Sequence, residues 1–238
     1  MTRVRAVLFD FGGTLFDYAT LAAGERDGVV ALARWAGVTV EPAVILRTYR
    51  AALKRVFYQY LPRPYYLHRD LFRDVLLAMA EDLKTTITEE QLARYWAQQH
   101  EQRERNFALR EGVHDTLTAL RVRGCHLGIV SNADDDQFTH MVELGQLQPY
   151  FDSLLSSEQA RSCKPDLAIF QEALRRADCA LEEALFVGDS LQQDIAGANR
   201  MGLQSVLIWS DADREPPSGE HQPRYVIRHI PALLELVS

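Results

Sequence analysis

Three textures of apolar and polar positions succeed one another along the chain. The first is the run from Val4 to Phe9, VRAVLF, apolar except for Arg5. It predicts a short strand buried on both faces. From about Leu21 to Arg105 apolar positions recur at helical spacing and strand signals vanish. Val29, Val30, Leu32, Ala33 and Ala36 predict one helix, stopped by Gly37. Pro42 suits the first turn of a second, which continues through Val44, Ile45, Tyr49, Leu53 and Val56 until Pro62-Arg63-Pro64 breaks it. Leu71, Phe72, Val75, Leu76 and Met79 mark a third, and Thr88 with Gln91 is a capping-box pattern opening a fourth. Four helices with short connections predict a small bundle.

After Glu111-Gly112 the pattern changes again. Strands are predicted at Leu127–Val130, Phe151–Ser156, Ala184–Val187, Val206–Trp209 and Tyr225–Ile227. Helices are predicted at Ala133–Leu144, Asp166–Arg176, Ile195–Met201 (stopped by Gly202) and Pro231–Val237. The stretch DADREPPSGEHQP, Asp211 to Pro223, reads as a surface loop. Strand and helix alternation predicts an α/β fold, a doubly wound parallel sheet covered on both faces. The helical bundle is inserted after its first strand. The expected division is a core over residues 1–16 and 111–238, with a helical insert over 17–110.

Composition narrows the class without changing the architecture. Hydrophobic residues make up 47% and charged residues 25%, as in an ordinary globular protein. The three cysteines, Cys125, Cys163 and Cys179, have neither disulfide-framework nor zinc-site spacing. The opening MTRVRAVLFD has too short an apolar run for a secretory leader, and no run approaches a membrane span, so a cytoplasmic protein is expected. The net charge of -7 disfavours nucleic-acid binding. That charge is uneven: residues 17–110 carry 14 Lys+Arg against 12 Asp+Glu, and the remainder carries 12 against 21. The insert is the more basic part. This hints that it meets anions and is equally compatible with a solvated mixture of charges.

In doubly wound sheets ligands bind beyond the carboxyl ends of the strands. That rule selects Asp10 after the first strand, Ser131 and Asn132 after LGIV, and Asp189 after LFVG. Lys164 sits in a loop just before a helix, and Asp194 lies close to Asp189 in VGDSLQQD. Gly12, Gly13 and Thr14 follow Asp10 on a tight turn with exposed amides. Carboxylates gathered at one point repel unless a cation holds them, and hard oxygen ligands suit Mg²⁺. A lysine, a hydroxyl and free amides cradle a phosphoryl group. An ionised aspartate can serve as a nucleophile.

The blocks FDFGGT, IVSN, CKP and GDSLQQD, in this order, resemble the signature of the haloacid dehalogenase-like (HAD) hydrolase superfamily. The helical insert resembles that superfamily's cap of the first type, and YVIRHIPALLELV resembles its closing strand and helix. The resemblance implies a hydrolase, with Asp10 as nucleophile. Mg²⁺ would be held by Asp10, the Gly12 carbonyl, Asp189 and Asp194. Ser131 and Lys164 would bind and neutralise phosphoryl oxygens. Gly13 and Thr14 would shape the loop, with the Thr14 hydroxyl near Asp10, while Asn132 would orient a loop. A small phosphorylated metabolite is the expected partner, with no nucleic acid or membrane, and the chain is expected as a monomer or homodimer.

The departure is Gly12. Phosphatases of the superfamily carry there a second aspartate, which protonates the leaving oxygen and then activates water. Three explanations follow: a leaving group that departs unaided, as from an acyl phosphate; an acid supplied by the insert or the substrate; or a weak or silent protein that binds a phosphometabolite or partner. His68, in FYQYLPRPYYLHR, is the candidate acid in the insert. Arg63, in the same stretch with Tyr58, Tyr60, Tyr65, Tyr66 and Arg69, is the candidate for specificity, and a packing seam or dimer surface is the alternative. Haloacid dehalogenases carry an aromatic residue at the Gly12 position and need no metal. Dehalogenation of a small halo-acid is the second enzymatic reading, although Asp189 and Asp194 favour the metal-dependent one. A phosphonate-cleaving relative would need a lysine in the insert, and the surroundings of Lys54 do not match.

Overall fold

A computed structural model describes residues 3–209 and 218–237. Residues 211–217 of the predicted surface loop lie outside them, and the loop's later part contains a single 3-10 turn at Gly219–His221. The chain forms two compact units, Met1–Asp17 with Ala108–Ser238, and Tyr18–Phe107.

The first unit is a six-stranded parallel sheet flanked by helices. Its elements are β1 (Ala6–Phe9), then, after the insert, α5 (Val113–Val122), β2 (His126–Ser131), α6 (Asp135–Leu144), β3 (Ser153–Ser156), α7 (Ser157–Ala160), α8 (Leu167–Ala177), β4 (Ala184–Gly188), α9 (Ala196–Met201), β5 (Gln204–Ile208) and β6 (Tyr225–Ile227). The insert supplies α1 (Ala22–Trp35), α2 (Pro42–Tyr60), α3 (His68–Asp82) and α4 (Glu89–Asn106).

The strand order is β3-β2-β1-β4-β5-β6. The chain lays strands to one side of β1, then returns to its other side. The reversal leaves a crevice at the carboxyl ends of β1 and β4. Register makes these ends level: Phe9 pairs with Ile129 on one side and with Val187 on the other. All four residues of β1 are fully buried, which explains its continuous apolar run. Alternation along the strand sends Ala6 and Leu8 into a cluster with Val130, Ile169, Phe170 and Phe186. There the Phe170 and Phe186 rings meet edge to face, centroids 4.9 Å apart.

The second unit is the predicted bundle. Its inward residues follow the helical period: Val29, Leu32 and Ala33 on α1; Ile45, Ala52 and Val56 on α2; Leu71, Val75 and Met79 on α3; Leu92 and Tyr95 on α4. Pro42 occupies the start of α2. The Thr88–Gln91 box is formed reciprocally, with Gln91 N–H donating to Thr88 Oγ1 at 3.2 Å and Thr88 N–H donating to Gln91 Oε1 at 2.9 Å.

Three readings change. Helix α5 was not anticipated. Its apolar positions Val113, Leu117 and Leu120 have the right spacing, but it starts on Gly112 in a left-handed conformation, φ 75°, with no capping side chain. The short α7 also escaped, being a single turn capped by Ser156. The expected last helix is a 3-10 segment, Ile230–Glu235, that buries Ile230 and Leu233. No helix of the described residues is long and apolar enough to cross a membrane.

Removing the Phe170 ring tests the core that carries the sheet. Phe170→Ala should cost about 3–5 kcal/mol in urea unfolding of the sheet unit. A loss below about 1 kcal/mol would contradict the packing described.

Candidate active site

Asp10 follows β1 directly, and its N–H donates to Val187 O at 2.8 Å, so the strand ladder itself fixes the position of its Cα. Its side chain is nine-tenths buried. Lys164 Nζ donates to Asp10 Oδ1 at 2.6 Å, and Thr14 Oγ1 donates to Asp10 Oδ2 at 2.9 Å. Lys164 also donates to Asp194 Oδ1 at 2.8 Å. This ammonium is among the largest fully buried side chains of the protein. Burial alone would discharge it; the charges of Asp10 and Asp194 outweigh that and raise its pKa.

Asp194 reaches the site through an unusual turn. Leu191–Ile195 forms one π-type turn ahead of α9, with Ile195 N–H donating to Ser190 O at 3.1 Å. Ser190 N–H donates back to Asp194 Oδ2 at 2.9 Å. Gly188 makes room, since a Cβ there would lie 2.4 Å from Asp194 Cβ. Gly13 has a similar role beside Asp189. With φ +85° it sits in the left-handed region, and a Cβ would lie 2.2 Å from Asp189 Oδ2. The second glycine of the pair is therefore demanded both by backbone conformation and by the neighbouring carboxylate.

Asp10, Asp189 and Asp194 offer carboxylate oxygens that all lie within 4.8 Å of one another. Three carboxylates and one ammonium leave a formal charge of -2 in a mostly buried space. The consequence is visible in the acids: burial, then the neighbouring carboxylates, raise Asp189 well above the ordinary carboxylate range. Burial raises Asp194 as well, against the pull of Lys164. The donor set is all oxygen, the charge deficit is two, and the oxygens converge. These properties fit a hard divalent cation of the Mg²⁺ type.

Asn132 bonds to protein backbone on both sides of its amide. Its Nδ2 donates to Lys164 O at 2.9 Å, and Lys164 N–H donates to its Oδ1 at 2.7 Å. It thereby holds the segment that carries the lysine. Ser131 is buried at the end of β2, in the strand next to β1. Thus Asp10, Gly13, Thr14, Asn132, Lys164, Asp189 and Asp194 come together, linked by these contacts. Gly12 lies between Asp10 and Gly13 and offers only backbone.

Arg63 and His68 belong to the helical unit. Arg63 stacks on the Tyr60 ring, 3.9 Å from its centroid, and Tyr60 OH donates to Asp74 Oδ2 at 2.6 Å. His68, the first residue of α3, lies against Tyr66 with ring centroids 5.0 Å apart. Both are engaged in packing at the turn between α2 and α3.

Sequence reasoning missed Arg110. Its Nε and Nη2 donate to Gly13 O at 3.2 and 2.7 Å. No local signal marks it, because the contact spans 97 positions of chain. The Ser190 amide was equally invisible, since a backbone donor has no residue signature.

Comparisons with known proteins place the chain in a family. The family model described as haloacid dehalogenase-like hydrolase matches residues 7–208. A glyceraldehyde 3-phosphate phosphatase of Methanothermobacter thermautotrophicus is 35% identical over 97 residues, 40% of this chain and 42% of that protein. The chain spans about half the length of curated relatives it matches, 42%, 45% and 49% in three of them. A ribulose-1,5-bisphosphate 5-phosphatase of Halopiger xanaduensis is 28% identical over 98% of this chain and 99% of its own. The crystal structure of the HAD-hydrolase YfnB from Bacillus subtilis, bound to magnesium, superposes with a TM-score of 0.78 at 21% identity, covering 99% of each chain.

The raised acids give a pH dependence with a definite sign. A folded carboxyl with an elevated pKa holds a proton that the unfolded chain releases from about pH 4 upward. In chelator, stability should therefore fall as pH rises from about 4 through the elevated range of Asp189 and Asp194. Mg²⁺ should raise the melting temperature by an increment that grows with pH. An increment independent of pH would contradict a site built from these carboxylates.

Proposed function

The chain belongs to the haloacid dehalogenase-like hydrolase family, and from that premise we propose that it is a phosphohydrolase. Its substrate is a small phosphorylated metabolite, and the phosphoryl group passes through an aspartyl-phosphate on Asp10. The observation that carries this reading is the Asp10 carboxylate, fixed at a buried strand tip by Lys164 on one oxygen and Thr14 on the other.

The reading assigns the residues as follows. Asp10, Asp189, Asp194 and the Gly12 carbonyl would hold Mg²⁺, which when bound neutralises charge on the transferring phosphoryl group and orients it. Asp10 attacks phosphorus; the new bond joins its carboxylate oxygen to phosphorus, and the bond from phosphorus to the leaving oxygen breaks with its electron pair. Lys164 spends two N–H donors on Asp10 and Asp194, and its third is assigned to a phosphoryl oxygen. Ser131 supplies a hydroxyl to the same group. Water then attacks the phosphorus of the aspartyl-phosphate: its oxygen bonds to phosphorus, the bond from phosphorus to the Asp10 oxygen breaks with its electron pair and restores the carboxylate, and the water's protons pass to the released phosphate and to solvent. Phosphoryl transfer asks chiefly for positioning and charge neutralisation, and this cluster can supply both.

Gly12 has no proton to give. A positioned acid–base group contributes about 10²–10⁴ in rate. The reading therefore favours a substrate whose leaving group departs without protonation. The phosphatase names of the relatives support phosphate release as the reaction and leave this chain's own substrate to experiment.

Phosphate release from acetyl phosphate and from simple alkyl phosphomonoesters, with Mg²⁺ and with chelator, tests the proposal. Release is expected only with Mg²⁺, and Asp10→Asn should lower it by at least about 10³-fold, as expected for a lost nucleophile. Metal-independent halide release from a 2-halo acid, with no phosphate from any probe, would replace this reading with dehalogenation.

Gly12→Asp should raise turnover of the alkyl phosphomonoesters by about tenfold or more relative to acetyl phosphate. An unchanged ratio of the two rates would contradict the role given to Gly12.

A further inference from the structure

Arg110 stands outside every motif that marks the site, yet its guanidinium grips the loop that follows Asp10. The two donors on Gly13 O make a forked contact with a single carbonyl. The third nitrogen, Nη1, lies 3.3 Å from Asp17 Oδ2. The backbone adds its own hold, with Arg110 N–H donating to Leu15 O at 2.9 Å and Phe16 bridging to Leu109. The side chain of Arg110 is only 20% exposed.

The gripped carbonyl belongs to a peptide with demanding neighbours. On one side, a Cβ at Gly13 would collide with the Asp189 carboxylate. On the other, Thr14 carries the hydroxyl that donates to Asp10 Oδ2. A peptide is planar, so fixing Gly13 O also fixes the direction of the Thr14 N–H on the opposite edge. Within the loop, Gly13 N–H donates to Phe16 O and Leu15 N–H donates to Phe11 O, both at 2.9 Å. These bonds set the curvature of the turn, and Arg110 sets the orientation of the peptide at its apex.

We propose that Arg110 is a positioning residue for the Asp10 loop. It holds the Gly13–Thr14 peptide in the one orientation that brings the Thr14 hydroxyl onto Asp10 while leaving room for Asp189. Asp17 orients the guanidinium for this task. A guanidinium suits the role because its rigid fork offers two donors to the carbonyl and a third to Asp17. Lysine offers a compact ammonium on a flexible stem and cannot reproduce that geometry. As a positioning group for phosphoryl transfer, Arg110 rests on the phosphohydrolase reading; its grip on the loop can be tested separately.

The test compares wild type, Arg110→Ala, Arg110→Lys and Asp17→Asn, with acetyl phosphate and Mg²⁺ as probe and Asp10→Asn as control. Misplacement of a reacting group by about 1 Å costs about 10²-fold, so Arg110→Ala should lose about that much in kcat while KM moves less than about threefold. Arg110→Lys should recover less than about a tenth of the loss. Guanidinium ion added to Arg110→Ala should restore part of kcat. Amide hydrogen exchange provides a readout independent of turnover: Arg110→Ala should accelerate exchange in the peptide covering residues 11–16 and leave the core strands unchanged. Asp17→Asn should show the same local change in smaller degree. An unchanged kcat, full recovery with lysine, or acceleration spread over the whole sheet unit would overturn the proposal. If wild type releases no phosphate, the phosphohydrolase reading fails on that result alone. Exchange over residues 11–16 then decides Arg110, with local acceleration supporting its hold on the loop and no acceleration overturning it.

Discussion

The ammonium of Lys164, buried between Asp10 and Asp194, is the interaction on which the site depends. Isolated, a charge in such a place would be discharged by burial. Paired, it ties together three distant parts of the chain: the tip of β1, the loop before α8 and the turn before α9. Breaking a buried pair by removing one partner typically costs about 3–5 kcal/mol. Yet one ammonium does not balance three acids, and burial together with the neighbouring carboxylates raises Asp189. The same arrangement is thus self-consistent as a scaffold and incomplete in charge, as expected of a site that receives a cation and a phosphoryl group.

Sheet topology makes this meeting possible. Asp10 and Asp189 each follow a strand end, on neighbouring strands whose registers are level. The strand order reverses about β1, which opens a crevice at these strand ends. Asn132, following the strand on the other side, fastens the lysine loop through both atoms of its amide. Two glycines, at 13 and 188, permit the approach of the two carboxylates nearest them. Gly13 is required by its backbone conformation and by the neighbouring Asp189 carboxylate; under the proposed phosphohydrolase reading, Gly12 leaves the loop without an acid.

The architecture was largely legible in the sequence. Continuous apolar runs mark buried parallel strands, and the shift to helical periodicity between Leu21 and Arg105 marks the insert. The misses have physical causes. Helix α5 begins on a left-handed glycine without a capping side chain, and the closing segment, also without a capping side chain, winds as 3-10. In the site, Asp10, Ser131, Asn132 and Asp189 were legible because the fold rule points to strand ends, and Lys164 and Asp194 because they lie in the CKP and GDSLQQD blocks. Arg110 and the Ser190 amide were not, because one acts across 97 positions and the other through backbone. Arg63 and His68 stand out by composition; Arg63 stacks on Tyr60 and His68 lies against Tyr66, both within the helical unit.

The central claim is that Asp10 takes the phosphoryl group covalently. Acid quenching of the enzyme during turnover of acetyl phosphate with Mg²⁺, followed by peptide mass spectrometry, tests it most directly. The account predicts one added phosphoryl group on the peptide containing Asp10, absent in chelator and removed by hydroxylamine. Sustained phosphate release with no adduct at any quench time, or with the adduct on another residue, would contradict it.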